Sequence, residues 1–159
     1  MNRNSAPPSV WRRPSHFLAF GFGSGAAPVA PGTFGTLAAV PIYLLLQPLG
    51  LWAYLAVVAG ITLLGVWLCQ VTSRDLGVHD HPGIVLDEIA GYLITMIAAP
   101  PGWAWMVTGF VLFRFFDIIK PWPIRWVDRH VHGGLGIMLD DVLAAVFAWL
   151  VLQGLVLAV

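Results

Sequence analysis

Two pairs of adjacent carboxylates, Asp87-Glu88 in VLDEIAG and Asp140-Asp141 in MLDDVLAA, stand beside long apolar runs, and a fifth, Asp117, lies in LFRFFDIIKPWP between Arg114 and Lys120. An unpaired charge in hydrocarbon is costly, so each of these placements needs a physical reason. Arg114, Asp117 and Lys120 recur every three residues and on a helix form one stripe. The plain reading is a snorkelling arginine and lysine with Asp117 as their partner. For either acidic pair alone, the plain reading is a helix cap favoured by the helix dipole. The chemical reading takes them together. Five carboxylates crowded at one end of a bundle repel one another unless a cation or a proton is shared, and hard oxygen ligands suit Mg2+, with Mn2+ as the alternative. Asp117 is then a metal ligand, and Arg114 and Lys120 form a clamp for phosphate.

The elements that must position these residues follow from composition. Apolar residues make up 58% and charged residues 10% of the 159-residue chain, far from the roughly 25% charged usual in soluble domains, which marks a membrane protein. The formal net charge is zero, so bulk charge gives no argument for nucleic acid. Apolar runs over 36–46, 51–69, 84–99, 103–119 and 139–159 predict an all-α, polytopic membrane bundle of four to five helices. The first of these contains Pro41 and is short for a crossing, which reads as a broken or re-entrant helix. Pro100-Pro101-Gly102 marks a tight connection, and Pro121 ends the fourth helix. Arg3, Arg12, Arg13, Arg74, Arg114, Lys120, Arg125 and Arg129 all fall at one end of this topology, together with every acid and histidine. By the positive-inside tendency that end faces the cytoplasm. Residues 1–16 read as a flexible arm and 17–159 as a single membrane-embedded domain.

Other polar groups are less specific. His79, Asp80 and His81 in GVHDHPG can supply imidazole or acid chemistry, but the spacing matches no zinc pattern and Pro-Gly makes a turn the default. His130 and His132 are similarly ambiguous, and His16, with few polar neighbours, belongs at the interface. GFGSGAAPVAPGTFGT lacks both the dinucleotide pattern and the P-loop lysine; its irregular backbone suits either an interfacial turn or a cavity in which free N–H groups, Ser24 and Thr33 hold phosphate oxygens. The basic, apolar and small-residue sequence of the N-terminus imitates an export signal, but the rest of the chain has its own spans. Cys69, the sole cysteine, is a packing residue. Trp11, Trp122 and Trp126 suit one interfacial belt, and Trp103 and Trp105 the opposite one.

GFGSG, PGTFGT, GVHDHPGIVLDEIAG and FRFFDIIKPWPIRWVDRHVHGGLGIMLDD, in that order, closely resemble the phosphatidylglycerophosphatase A family of bacterial inner membranes, with KPWPIRW followed by GIMLDD the most specific part. The resemblance runs from about Phe17 onward. It implies a Mg2+-dependent hydrolase that converts phosphatidylglycerophosphate in the bilayer to phosphatidylglycerol and phosphate, with the site on the cytoplasmic side. The family's acidic motifs fall on Asp87, Glu88, Asp117, Asp140 and Asp141, the carboxylates already singled out by charge burial. Phosphate neutralisation then falls to Lys120 and Arg114, with Arg125, Arg129 and Thr33 as helpers. Attack by water with one carboxylate as general base is the preferred route, and an aspartyl-phosphate intermediate the alternative. A small transporter or a nonenzymatic assembly protein are the competing classes; the first needs a polar path across the bilayer, yet the distal half carries no charge. Nothing in the sequence fixes an oligomeric state.

Overall fold

Pro100-Pro101-Gly102 and Pro121 bracket the most sharply defined helix of the chain, Trp103–Ile119, which ends where Lys120 turns into the left-handed region (φ 45°). The computed structural model describes residues 6–78 and 81–159. Among these, 3-10 turns at Pro8–Trp11 and Ser24–Ala26 accompany seven α-helices and no strand: α1 Pro14–Ala19, α2 Pro31–Leu46, α3 Leu51–Leu76, α4 Leu86–Thr95, α5 Trp103–Ile119, α6 Ile124–His130 and α7 Gly133–Ala158. The five helices expected from hydropathy are α2, α3, α4, α5 and α7. The short α1 and α6 add to them, each too brief for an amphipathic period to register.

The helices α3 and α7, each of 26 residues, are long and apolar enough to cross a bilayer. α7 is the central post and packs against α3, α4, α5 and α6, while α2 lies against α4. Ala144, Ala145 and Ala148 are fully buried along α7, where small side chains let neighbouring helices approach closely. Gly134 serves the same end, since a Cβ there would stand 2.1 Å from the Val66 carbonyl oxygen of α3. The outward faces are apolar: Trp52, Leu63, Val111, Ile118, Leu150 and Leu157 are all exposed, a surface suited to lipid tails rather than water.

α2 is longer than the apolar run of 36–46 because Pro31 opens a helix whose early glycines are buried, and Pro41 sits inside it without ending it. α4 is shorter than 84–99. Met96–Ala99 leaves the helix with Ala98 in the left-handed region, and the exposed-backbone problem this creates at membrane depth is met by Trp149 Nε1 and Gln153 Nε2, both donating to the Ile97 carbonyl at 3.0 Å. α7 begins at Gly133 rather than at 139, with Gln70 accepting the Gly134 N–H at 2.7 Å to satisfy its first turn. Ahead of Phe17, Val10 is fully buried. His16 is buried among protein groups, its ring nitrogens 3.0 Å from Ser9 Oγ and 3.1 Å from Asp75 Oδ2 of α3; Arg13 also pairs with Asp75.

Candidate active site

Three helices deliver the carboxylates to one place. Asp87 and Glu88 occupy the first turn of α4, Asp117 the last turns of α5, and Asp140 and Asp141 lie about two turns into α7. Gly91, one turn into α4, is the reason they come so close: a Cβ there would fall 2.4 Å from the Phe113 ring of α5 and 3.4 Å from the Asp141 carbonyl of α7. One oxygen each of Asp87, Glu88 and Asp141 lies within 4.8 Å of the other two. Asp117 and Asp140 stand within electrostatic reach of the same group.

The position of Asp140 and Asp141 removes the capping explanation for that pair. They lie seven and eight residues into α7, where no free backbone N–H is available to cap, and they are 6% and 3% exposed. One oxygen of each, Asp140 Oδ1 and Asp141 Oδ2, is buried without a hydrogen-bond partner, as is Glu88 Oε2. Buried carboxylate oxygens in that state are costly unless a cation or proton meets them, and an all-oxygen donor set is the kind that Mg2+ or Mn2+ takes.

The two basic residues predicted as a phosphate clamp are arranged differently from the single stripe their spacing suggests. Arg114 Nη1 stands 2.6 Å from Asp117 and 3.8 Å from Glu88, so the i, i+3 pair on α5 forms. Lys120, carried off the helix by its left-handed turn, reaches Asp128 of α6 and Asp140 of α7, each at 2.6 Å. Burial opposes its charge, yet the hydrogen bonds and charges of these two carboxylates outweigh that and hold its pKa above the ordinary lysine value. Lys120 therefore ties α5, α6 and α7 together at the edge of the acidic group. Asp128 was not singled out in the sequence; its only signal there is an acid among the cations of IRWVDR.

Gly32 is the second residue that sequence reasoning did not name. It is the second residue of α2, and a Cβ on it would lie 2.3 Å from Glu88 Oε1 and 3.1 Å from Arg114 Nη1, so the α2 N-terminus is pressed against the Glu88–Arg114 pair. Thr33 follows in the same turn, half-buried, but its backbone N–H is taken by the Ala30 carbonyl at 2.9 Å. Ser24 donates to the Gly21 carbonyl at 2.8 Å and lies in the preceding 3-10 turn. Arg125 and Arg129 are exposed on α6, outside the acidic group, beside a cleft that Lys120 also lines. His81 accepts the Gly83 N–H at 3.0 Å in the turn read from Pro-Gly. His79 and Asp80 lie outside the described residues. His130 and His132 use Nδ1 to bond the carbonyls of Trp126 and His130.

Residues 17–156 match the family model described as phosphatidylglycerophosphatase A. The chain is 53% identical over 137 residues to the phosphatidylglycerophosphatase A of Escherichia coli strain K12, covering 85% of this chain and 79% of that protein. It is 51% identical over 140 residues to that of Haemophilus influenzae, covering 87% and 86%. A Bacteroides thetaiotaomicron protein provisionally named a phosphatidylinositol-3-phosphatase is 38% identical over 152 residues, covering 89% and 94%. No solved structure matches the chain.

Proposed function

Because the chain belongs to the phosphatidylglycerophosphatase A family, we propose that the acidic group at the ends of α4, α5 and α7 is where the terminal phosphomonoester of phosphatidylglycerophosphate is hydrolysed to phosphatidylglycerol and inorganic phosphate. The observation that carries this is the buried convergence of Asp87, Glu88 and Asp141, with carboxylate oxygens of Glu88 and Asp141 left without partners at the polar end of a lipid-facing bundle. The Bacteroides relative's name points to a phosphomonoester on a different phospholipid headgroup; 53% and 51% identity against 38% decide for phosphatidylglycerophosphate.

Asp87, Glu88 and Asp141 are the residues that would hold Mg2+, with Mn2+ as the alternative, and Asp117 and Asp140 extend the set. When bound there, the ion supplies charge neutralisation to the phosphoryl oxygens and a more acidic water. The chain's own groups do the rest. Arg114, fixed by Asp117, presents a guanidinium whose Nε has no hydrogen-bond partner, and Lys120 adds a fixed positive charge at the Asp140 side. Water attacks phosphorus, a carboxylate of the group takes its proton, the bond from phosphorus to the glycerol oxygen breaks, and the departing alkoxide receives a proton to leave phosphatidylglycerol. The acyl chains remain among the lipids against the outer faces of the helices. The protein works from the cytoplasmic side of the bacterial inner membrane, the side on which the positive-inside tendency puts its arginines.

The test is phosphate release from phosphatidylglycerophosphate in detergent micelles, with EDTA and then with Mg2+ restored, for the wild type and for Asp87→Asn, Asp117→Asn and Asp140→Asn. Release that EDTA stops and Mg2+ recovers, lost by at least about 10²-fold in each folded variant, is the expected outcome. Release untouched by chelation removes the metal, and near-normal activity in all three variants removes the assignment of the site.

A further inference from the structure

Beside the acidic group lies a cleft of about 360 Å³ at the junction of α5 and α6, lined by Lys120, Arg125, Arg129, His130, Trp122 and Trp126 among others. Its two arginines differ from the cations of the acidic group in one respect. Arg114 and Lys120 are already engaged by carboxylates, whereas Arg125 and Arg129 have no carboxylate within ion-pair distance among the described residues. Among the described residues Arg125 donates only to the Ile119 carbonyl, at 3.1 Å. The two arginines are one helical turn apart and so share a face of α6. Next to them the His130 ring stacks on Trp126 with centroids 4.8 Å apart and planes at 18°, held there by its bond to the Trp126 carbonyl at 2.7 Å. Trp122 and Trp126 are both exposed, as side chains at a headgroup boundary are. Lys120 lines the cleft and touches Asp140, so cleft and acidic group adjoin.

A phosphatidylglycerophosphate molecule carries two phosphates, the terminal monoester and the diester that links its glycerol to the diacylglycerol. When the monoester occupies the acidic group, the diester lies a glycerol away toward the lipid, and five nearby carboxylates repel it unless it meets cations of its own. We infer that the Arg125/Arg129 cleft holds the phosphodiester of the substrate and selects for lipids that carry a diester as well as the monoester. This rests on the hydrolysis assigned to the acidic group. Paired guanidiniums match the two non-bridging oxygens of a diester, and the indoles of Trp122 and Trp126 cover the adjoining glycerol and upper acyl segment. The cleft thus sets substrate selection rather than bond breaking.

The test compares the wild type with Arg125→Gln/Arg129→Gln in Mg2+-containing mixed micelles, using three lipids. Phosphatidylglycerophosphate has both groups, phosphatidic acid has the monoester alone, and phosphatidylglycerol, used as an inhibitor, has the diester alone. The double variant is expected to raise KM for phosphatidylglycerophosphate by roughly tenfold or more, to weaken inhibition by phosphatidylglycerol in parallel, and to leave catalysis on phosphatidic acid much less affected. Arg12→Gln/Arg74→Gln, which removes the same charge from exposed positions on the same polar end, is expected to change none of these ratios. Arg125→Lys/Arg129→Lys should recover part of the lost selectivity. An equal loss on both substrates, an unaltered response to phosphatidylglycerol, or the same shift in the Arg12/Arg74 variant overturns the cleft assignment while leaving hydrolysis at the acidic group standing. A folded wild type that releases no phosphate from phosphatidylglycerophosphate overturns the reading of the acidic group and the cleft with it.

Discussion

Gly32→Ala isolates the geometry of the acidic group from the stability of the fold. The added methyl would lie 2.3 Å from Glu88 Oε1, and ordinary contact begins near 3.4 Å, so that oxygen must retreat by about 1 Å. The obstacle is the tip of a flexible side chain, and Gly32 sits in helical conformation without a positive φ, so the backbone has no reason to move. A glycine-to-alanine change inside a helix gains up to about 1 kcal/mol in propensity, and forcing Glu88 off its preferred rotamer costs about 0.5–1.5 kcal/mol. These terms nearly cancel, and thermal unfolding in detergent should move by only a few degrees. Catalysis has no such compensation, because displacing a reacting or metal-holding group by about 1 Å costs on the order of 10²-fold in rate. The assay is phosphate release at saturating and limiting Mg2+ beside a thermal melt, with Gly60→Ala as the control, since nothing lies within 4 Å of a Cβ at Gly60. Activity within threefold of wild type would show that the position of Glu88 does not matter to the chemistry. Loss of folded protein would show that the close approach at Gly32 serves packing instead.

Two further outcomes follow from the ion pairs. Lys120→Met leaves Asp140, whose side chain is 9% exposed, without its cation, and should cost about 3 kcal/mol of stability; adding Asp140→Asn should restore most of the melting temperature without restoring activity, and a single variant that melts like wild type would refute the buried pair. Asp75→Ala removes the anchor shared by His16 and Arg13, so tryptic cleavage after Arg12 should accelerate by about tenfold while phosphate release stays near normal, and an unchanged cleavage rate would show that the N-terminal segment is held by Val10 and its neighbours alone.

How much was legible in the sequence depended on whether the cause was local. The bounds of α5 were readable because a Pro-Pro-Gly turn and a proline fix both ends. The start of α7 was not, because GGLGIM reads as loop by propensity, whereas Gly134 is there to let α7 meet the α3 backbone at Val66 and Gln70. That error moved Asp140 and Asp141 from about two turns into a helix to its first turn and lent them a capping role they do not have. The carboxylates themselves were legible since charge in an apolar chain needs a cause whatever the fold. Their partners were not: Lys120 leaves its stripe through one left-handed residue to meet Asp128 and Asp140, and Gly32 meets Glu88 only through the docking of α2, contacts that no periodicity encodes.

Helix lengths put the acidic group at a depth that suits the hydrolysis proposed above, on a lipid that stays in its membrane. From Asp140 to the end of α7 at Ala158 the helix covers about 27 Å at 1.5 Å per residue, close to the roughly 30 Å of a hydrocarbon core. With the uncharged end of α7 at the far boundary, Asp140 and Asp141 fall at the near boundary, where phospholipid phosphates lie. The first turns of α7 and all of α6 then project into the headgroup layer, which puts exposed Trp122 and Trp126 where indoles are most stable. α5, ending at Ile119, delivers Asp117 and Arg114 to the same level from the opposite chain direction. A site built deeper would have to draw a doubly charged phosphate into hydrocarbon, and one built further out would have to lift acyl chains into water. For the hydrolysis proposed above, placing the carboxylates about two helical turns below the start of α7 avoids both costs, which gives a pair of aspartates inside a helix, and not at its cap, a physical reason.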